Sequence, residues 1–300
     1  MSSHAFTITL PDEFSADECL WFLDRGFYDC RYRIDGNTVH KLIEFEGELL
    51  LISIHFSAAA LTVQVLNGAG SEQEIAYTEY HIRQWLDLDR DLTPFYKIAA
   101  GDTLLGKLIH SYRGLRLIGE PDLFETLCWA IIGQQINLAF AYKMKQNLVE
   151  TYGEQIRFEN QTYYSFPSPK VLSSLTIDAL KELQFSRQKA DYVLTLARLF
   201  CEGRISRSQL LQLPDFEARL KRLTNIRGIG PWTANYALMR SLKETRAFPR
   251  NDAGFQNAVK KLMNLEAKPS PRIIQDISKH WHGWEAYAVL YLWRSLATVS

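Results

Sequence analysis

The chain has 300 residues, of which 47% are hydrophobic and 23% are charged, and its 34 Lys and Arg balance its 34 Asp and Glu. This composition is typical of a globular protein that is long enough for two domains, each with its own core. No apolar run approaches the roughly 18 residues of a membrane span, and the first residues lack the basic and then apolar order of a signal peptide. The cysteines have no metal-like spacing, so we expect reduced thiols in a cytoplasmic protein, or a nuclear one if its source is eukaryotic.

The zero net charge conceals a difference between two parts of the chain. Residues 1–100 contain 7 Lys and Arg against 16 Asp and Glu, whereas residues 101–300 contain 27 against 18. A basic body joined to an acidic appendage is expected when only the body meets phosphate groups. Two domains that merely differ in surface charge would give the same counts, so the asymmetry alone does not decide between these interpretations.

The first part of the chain predicts an α+β domain over residues 1–96. Apolar and polar residues alternate there as in strands with one buried face, and two segments have helical spacing instead. The predicted strands are Phe6–Leu10, Val39–Phe45, Leu49–Phe56 and Leu61–Val65, and the predicted helices are Ala16–Leu23 and one within Glu72–Leu86. Glu46 and Gly47 separate the second and third strands, which predicts a hairpin.

From Leu104 onward the sequence predicts a mainly helical body, to which we assign residues 97–300. Apolar residues recur at spacings of three and four, as on the buried face of a helix. Polar residues that cap helix N-termini precede three of these segments: Asp122, Thr176 and Ser186. Gly133 interrupts one apolar helix, and since glycine inside a helix costs about 1 kcal/mol, we expect a corner there.

A glycine turn that leads directly into a helix is the most informative local feature. Gly228 and Gly230 close the turn, and Pro231 suits the first helical position because its fixed φ fits and its missing N–H would be unpaired anyway. Such a turn directs unpaired backbone N–H groups outward and makes an anion site. Asp252 follows about two helical turns beyond this helix. The segment therefore predicts a clamp for a DNA backbone with an acid beside it.

At these residues the chain resembles the helix-hairpin-helix DNA glycosylases, and within them the 3-methyladenine DNA glycosylase II family. The superfamily pattern Leu-x-x-x-x-Gly-Ile-Gly-x-x-Thr-Ala, followed some twenty residues later by an aspartate, is matched by Leu223, Gly228, Ile229, Gly230, Thr233, Ala234 and Asp252. The resemblance covers residues 110–295, and residues 1–96 resemble the family's amino-terminal domain in pattern only. It implies an α+β domain followed by a helical glycosylase body whose lobes, 123–249 and 97–122 with 250–300, enclose the active-site cleft.

The resemblance implies that Asp252 is the catalytic residue of a DNA glycosylase that flips alkylated bases, such as 3-methyladenine and 7-methylguanine, out of duplex DNA and excises them. A carboxylate can stabilise the sugar cation of this reaction and orient water. Asp252 could also be a simple N-cap, because apolar positions follow it, and the two roles can coexist. Bifunctional relatives have a lysine where this chain has Trp232, which indicates a monofunctional enzyme with water as nucleophile.

The resemblance also implies the residues that surround the substrate. The base pocket would contain Trp232, Tyr236 and Trp284. Aromatic faces attract the cationic bases that ring methylation creates, by about 0.5–2 kcal/mol, although an aromatic stripe can equally fill a core. The wedge that enters the minor groove would come from Gln134, Gln135 and Ile136, unless these form only a solvated helix corner.

The remaining expectations concern phosphate, ions and partners. Backbone N–H groups of Gly228, Gly230 and Thr233 would bind a phosphate, and carbonyl groups of Thr224, Ile226 and Ile229 would bind a monovalent cation. Basic residues offer further contacts to the DNA backbone: Arg187, Lys189, Arg227 and Arg250. The carboxyl end lacks a four-cysteine cluster, so we expect no iron–sulfur centre and no required cofactor.

We expect a monomer whose partner is double-stranded DNA with damaged bases, and no membrane. Two other functions fit the same residues. A glycosylase of this scaffold could act on uracil, hypoxanthine or mismatched bases, and helix-hairpin-helix units also occur as DNA anchors without catalysis.

Overall fold

The computed structural model describes residues 4–297, in which an antiparallel sheet precedes a body of helices. The five strands have the order β1-β5-β4-β3-β2, so the first strand pairs with the last and the others follow the chain. The strands are β1 (His4–Thr9), β2 (Tyr32–Asp35), β3 (Thr38–Phe45), β4 (Glu48–Phe56) and β5 (Ala60–Val65). The sequence did not predict β2, because it has only four residues and none of them is buried.

Helices α1 (Ala16–Leu23) and α2 (Glu72–Leu86) accompany the sheet, as the sequence predicts. The register of the predicted hairpin pairs Phe45 with Glu48 across the turn. An α+β domain is thus followed by a mainly helical body, which confirms the predicted fold class. Among residues 4–297, the structure contains no helix with the length and apolar composition that a membrane span requires.

The rest of the described chain is mostly helical. Its helices are α3 (Thr93–Ala100), α4 (Leu105–Ser111), α5 (Leu123–Ile132), α6 (Leu138–Tyr152), α7 (Pro169–Ser173), α8 (Ile177–Glu182), α9 (Arg187–Cys201), α10 (Arg207–Leu211), α11 (Phe216–Thr224), α12 (Pro231–Ser241), α13 (Ala253–Leu262), α14 (Pro271–Ser278) and α15 (Glu285–Arg294). The three predicted caps, Asp122, Thr176 and Ser186, each accept a hydrogen bond from a backbone N–H in the first turn of α5, α8 and α9.

Two features of the body differ from the sequence prediction. A hairpin of β6 (Gln155–Phe158) and β7 (Gln161–Tyr164) interrupts the helices, and Tyr163 from it packs against Leu42 and Leu51 of the sheet. Its strands have only four residues each, so their strand pattern was too short to be recognised in the sequence. The predicted domain boundary at residue 96 falls inside α3, so a continuous helix joins the sheet domain to the body.

The helices of the body form two packed groups. One group contains α5, α6, α7, α8, α9, α11 and α12, in which α12 and α9 pack against α5. In the other group α15 packs against α4 and α13. One continuous core runs from the sheet through Trp85 and Phe95 to Tyr291 of the last helix. The two groups and the sheet are therefore held in a fixed arrangement by buried side chains.

Buried ion pairs also join the sheet domain to the body. Arg31 lies 3.0 Å from Glu125 of α5, and Lys145 of α6 lies 3.1 Å from both Glu125 and Asp29. Burial alone would raise the pKa of Glu125, but Arg31 and Lys145 lower this pKa to about 2. Breaking such a buried network by removing one partner is strongly destabilising, so it fixes the sheet domain against α5 and α6.

Candidate active site

The predicted glycine turn joins α11 to α12 as a helix–hairpin–helix unit. Gly228 has a φ of 90°, a left-handed conformation that residues with a side chain rarely adopt, and a Cβ there would lie 2.4 Å from the Tyr192 ring. Gly230 is the N-cap of α12 and Pro231 occupies the first turn, as the sequence predicts. No side chain caps this helix. The backbone N–H groups at its start, including that of Thr233, are thus left for an external anion.

The corner after α5 contacts this hairpin through one amide side chain. Gln134 Nε2 donates to the Gly228 carbonyl and to Thr233 Oγ1, both at 3.0 Å. The Gln134 side chain is therefore directed at the hairpin. Ile136 is partly buried and packs against the core. The assignment of Gln134, Gln135 and Ile136 to the wedge stays a prediction. Gln135 is exposed and has a φ of 57°, so of the three predicted wedge residues it alone projects from the corner.

Two apolar side chains beside this corner escaped the sequence prediction. Leu138 and Phe140, at the start of α6, are 41% and 37% exposed. Single exposed apolar side chains are common on protein surfaces, but these two follow the corner directly, and wedges that enter a DNA minor groove are often apolar. Their signal was present in the sequence as apolar residues that follow the predicted corner, but the prediction for this corner named only Gln134, Gln135 and Ile136.

Asp252 is the N-cap of α13, and its side chain also reaches two tryptophans. Its Oδ1 accepts hydrogen bonds from the Phe255 N–H (2.8 Å) and from Trp293 Nε1 (2.7 Å). Its Oδ2 accepts a longer bond from Trp232 Nε1 (3.3 Å). A Cβ on Gly254 would lie 3.0 Å from the Trp293 ring, so glycine is what lets this indole approach the carboxylate. The capping role and a position beside the hairpin helix thus coexist in one half-buried side chain.

Aromatic rings form a wall next to this carboxylate, which we call the aromatic wall and define as Trp232, Tyr236 and Trp293. The rings of Trp232 and Tyr236 are stacked with centroids 5.4 Å apart and an interplanar angle of 24°. The Trp293 ring centroid lies 6.5 Å from that of Tyr236. The carboxylate and the aromatic wall therefore lie together where α12, α13 and α15 meet.

The structure does not bring Trp284 to this wall. Trp284 precedes α15, and its ring packs against Phe95 at 6.0 Å and Tyr287 at 5.7 Å. It lies nine residues before Trp293, which is about 13 Å along a helix axis. The predicted stripe on α15 thus fills the core, and the tryptophan two residues beyond that stripe faces Asp252. Its position off the apolar stripe was the signal that could have identified Trp293.

Comparison with known proteins identifies the family of this arrangement. Residues 128–282 match the model of the HhH-GPD superfamily of base excision DNA repair proteins, and residues 29–127 match the N-terminal domain of 8-oxoguanine DNA glycosylase. A DNA-3-methyladenine glycosylase of Bacillus subtilis (strain 168) is 41% identical over 294 residues, with 96% of each chain covered. The chain belongs to the HhH-GPD superfamily. It is thus a DNA glycosylase of base excision repair, and its partner is DNA.

Solved structures show the same fold. The 3-methyladenine DNA-glycosylase from Archaeoglobus fulgidus superposes with a TM-score of 0.84 at 21% identity, covering 98% of this chain and 100% of that chain. The Clostridium acetobutylicum 8-oxoguanine glycosylase/lyase in complex with double-stranded DNA superposes with a TM-score of 0.72 at 21% identity, covering 94% and 91%. At this identity the superpositions establish the fold of an HhH-GPD member and leave the choice of base open.

The basic residues that the sequence offered as backbone contacts have different surroundings. Arg187 and Arg250 are exposed, and Arg227 is exposed although it lies 3.1 Å from Asp191. Lys189 is partly buried and its Nζ donates to the Ile132 carbonyl at 2.6 Å, at the end of α5. Burial also lowers the pKa of Lys189. This lysine therefore contacts the corner after α5, and its role as a phosphate contact stays a prediction.

The predicted cation site depends on carbonyl groups of the hairpin. The Ile226 carbonyl accepts the Ile229 N–H at 3.0 Å, and a carbonyl oxygen has a second lone pair. The Gly228 carbonyl differs, because it accepts from Gln134. The monovalent cation site at the carbonyl groups of Thr224, Ile226 and Ile229 stays a prediction.

Proposed function

We propose that this HhH-GPD member is a monofunctional glycosylase that hydrolyses the glycosidic bond of alkylated purines flipped out of duplex DNA. The observation that carries the proposal is the Asp252 carboxylate, which lies at the head of α13 against the aromatic wall and beside the hairpin helix. The name of the Bacillus subtilis relative, DNA-3-methyladenine glycosylase, supports the choice of base. The aromatic wall supports it independently, because ring-methylated purines are cationic and aromatic faces attract cations.

The Asp252 carboxylate keeps one acceptor site that its hydrogen bonds do not use. A carboxylate offers about four lone-pair sites, and the three donors occupy both sites of Oδ1 and one of Oδ2. The remaining site of Oδ2 can hold a water molecule or face the sugar cation that develops as the glycosidic bond breaks. The donors keep the carboxylate in one orientation, so no reorganisation is needed during the reaction.

Two lysine positions support water as the nucleophile in this proposal. Trp232 stands where bifunctional relatives have a lysine, and the sequence has no lysine between Lys221 and Lys243. Lys243 is buried, and its Nζ donates to the carbonyl groups of Trp85 and Leu117. Because this amine is buried and engaged by two carbonyl groups, it is unsuited to attack the sugar.

Binding of DNA would use the exposed end of the hairpin. The N–H groups of Gly228, Gly230 and Thr233 would hold one phosphate, and a cation held by Thr224, Ile226 and Ile229 would add positive charge beside it. Gln135, with Leu138 and Phe140, would fill the gap that a flipped base leaves. We expect a monomer to suffice, because the hairpin, the carboxylate and the aromatic wall all come from one chain.

The test compares the wild type with Asp252→Asn on DNA treated with a methylating agent, and measures released 3-methyladenine by chromatography. Asparagine is as good an N-cap as aspartate, so α13 should keep its cap while the negative charge is lost. We expect release to fall at least 100-fold while binding to abasic DNA persists. Release at the wild-type rate would refute the proposal. Borohydride should trap no covalent enzyme–DNA adduct, and a stable adduct would contradict water as nucleophile.

A further inference from the structure

The end of α15 is held by the sheet domain. Arg294, the last residue of this helix, donates from Nε to Glu18 Oε2 at 2.6 Å and from Nη2 to Glu18 Oε1 at 3.2 Å. Glu18 belongs to α1 of the sheet domain. The two side chains are only 12% and 15% exposed, so water screens this pair of charge-assisted bonds less than it screens an ion pair at the surface.

Two aromatic rings enclose the same guanidinium group. Its Cζ lies 4.1 Å from the ring centroid of Trp21, also in α1, and 4.3 Å from that of Tyr112, the C-cap of α4. Aromatic faces attract a guanidinium group that lies over them. From the helical body, the exposed Lys261 donates to the Ser295 carbonyl at 3.3 Å, which is a longer bond to the same helix end. The short polar contact that holds this helix end therefore comes from the sheet domain.

Arg294 directly follows Trp293, whose Nε1 donates to Asp252 Oδ1 at 2.7 Å. Both residues lie in the last turn of α15, and helix ends fray unless other contacts hold them. An N–H···O bond weakens beyond about 3.2 Å, so a movement of about 0.5 Å at the helix end is enough to weaken this one. The contacts of Arg294 therefore bear directly on the position of the Trp293 N–H.

Helix α1 is a firm support for these contacts. Its Cys19, Phe22 and Leu23 are buried in the core that the sheet and the body share. The Phe22 ring also lies 4.9 Å from the guanidinium group of Arg240 in α12, and Arg240 Nη1 donates to the Tyr236 hydroxyl of the aromatic wall at 3.2 Å. Helix α1 therefore contacts both helices that carry the aromatic wall.

We propose that the sheet domain positions the reacting carboxylate, with Glu18 and Arg294 as positioning residues that act through Trp293. The inference rests on the proposed function, because Asp252 is the group whose orientation matters. Glu18 fixes Arg294, Arg294 fixes the last turn of α15, and this turn holds the Trp293 N–H on the carboxylate. Loss of the ion pair should slow the chemical step and spare DNA binding, because the phosphate-binding turn lies at the start of α12 and not on α15.

The experiment is a double-mutant cycle of Arg294→Met and Trp293→Phe, read out as single-turnover release of 3-methyladenine from methylated DNA. Methionine keeps an unbranched side chain between the two rings and removes the donors. We expect Arg294→Met to slow release about fivefold or more in the wild-type background, and less than about twofold in the Trp293→Phe background. Affinity for abasic DNA should stay within about twofold of wild type in every variant, whereas a general loss of structure would slow both backgrounds equally and weaken binding.

Two milder variants and one control accompany the cycle. Glu18→Gln keeps the shape of the acceptor and removes its charge, and Arg294→Lys keeps a charge and loses the planar fork, so both should slow release by smaller factors. Arg246→Met is the matched control, because Arg246 also pairs with a glutamate, Glu217, and lies 5.3 Å from the centroid of an aromatic ring, Phe216, at an exposed site of the body. It should leave both rate and affinity unchanged.

Equal slowing by Arg294→Met in both backgrounds, or no slowing in the wild-type background, would overturn the inference. Abasic-DNA affinity that falls in proportion to the rate would also overturn it, as would wild-type release by Trp293→Phe. Should Arg294→Met fail to fold, which thermal unfolding reports, the cycle of Glu18→Gln with Trp293→Phe carries the same test. Failure of the proposed function is distinct, since Asp252→Asn would then release 3-methyladenine at the wild-type rate.

Discussion

Trp293 is predicted to orient the reacting carboxylate, and Trp293→Phe measures how much that orientation contributes. The substitution keeps an aromatic ring in the wall and removes the N–H that lies 2.7 Å from Asp252 Oδ1. A hydrogen bond to a charged group contributes about 1.5–3 kcal/mol. Each 1.4 kcal/mol corresponds to about tenfold in rate, so the chemical step should slow by roughly 10- to 150-fold if the full bond is present in the transition state.

Trp232→Phe is the matched control for this prediction. Its N–H reaches Oδ2 of the same carboxylate at 3.3 Å, a longer and weaker bond, so its loss should slow the reaction less. The assay is single-turnover release of 3-methyladenine, with affinity for abasic DNA and thermal unfolding measured in parallel. A Trp293→Phe rate within twofold of wild type, or a larger loss for Trp232→Phe, would refute the assignment of Trp293 as the orienting residue.

Two further predictions concern the hairpin and a buried amine. Gly228→Ala should lower unfolding free energy by about 1–2 kcal/mol or more in urea titrations, because φ is 90° and Tyr192 blocks a Cβ. Gly230→Ala, with a φ of −82° and open space, should keep stability yet weaken abasic-DNA affinity; equal stability losses would contradict this. Burial lowers the pKa of Lys243 from 10.5 to about 7. Between these two pH values the unfolded state therefore binds more protons than the folded state. The free energy of unfolding, measured relative to Lys243→Met, should thus rise from pH 7 to pH 10. A flat difference would contradict it.

Local patterns were sufficient for most of the fold and for the hairpin. The glycine turn, Pro231 and the caps report on the conformation of their own few residues, and the structure places each where the sequence predicts. The strands with a buried face were found for the same reason. Strand β2 and the β6–β7 hairpin were missed because each strand has only four residues, which is too short for alternation to be recognised, and almost none of these residues is buried.

The surroundings of the carboxylate were less predictable, because they depend on how helices pack. Trp284 and Trp293 both lie at the ends of one helix, and sequence spacing alone does not say which end faces α13. Gln134 illustrates the same limit. Its amide resembles a surface group in the sequence, but because α5 packs beside α12 it hydrogen-bonds to Gly228 and Thr233 of the hairpin. Side-chain direction is a tertiary property, whereas capping is a local one.

The double use of Asp252 explains why capping and catalysis need not compete. The capping bond uses Oδ1 alone, so the cap fixes the carboxyl plane while Oδ2 keeps a free lone pair. The N-terminus of α13 places the positive end of its helix dipole behind the carboxylate, which favours negative charge there. A side chain that also capped through Oδ2 would have no acceptor left for water. The separation of the two oxygens would therefore allow a single aspartate both to cap α13 and to serve the proposed chemistry.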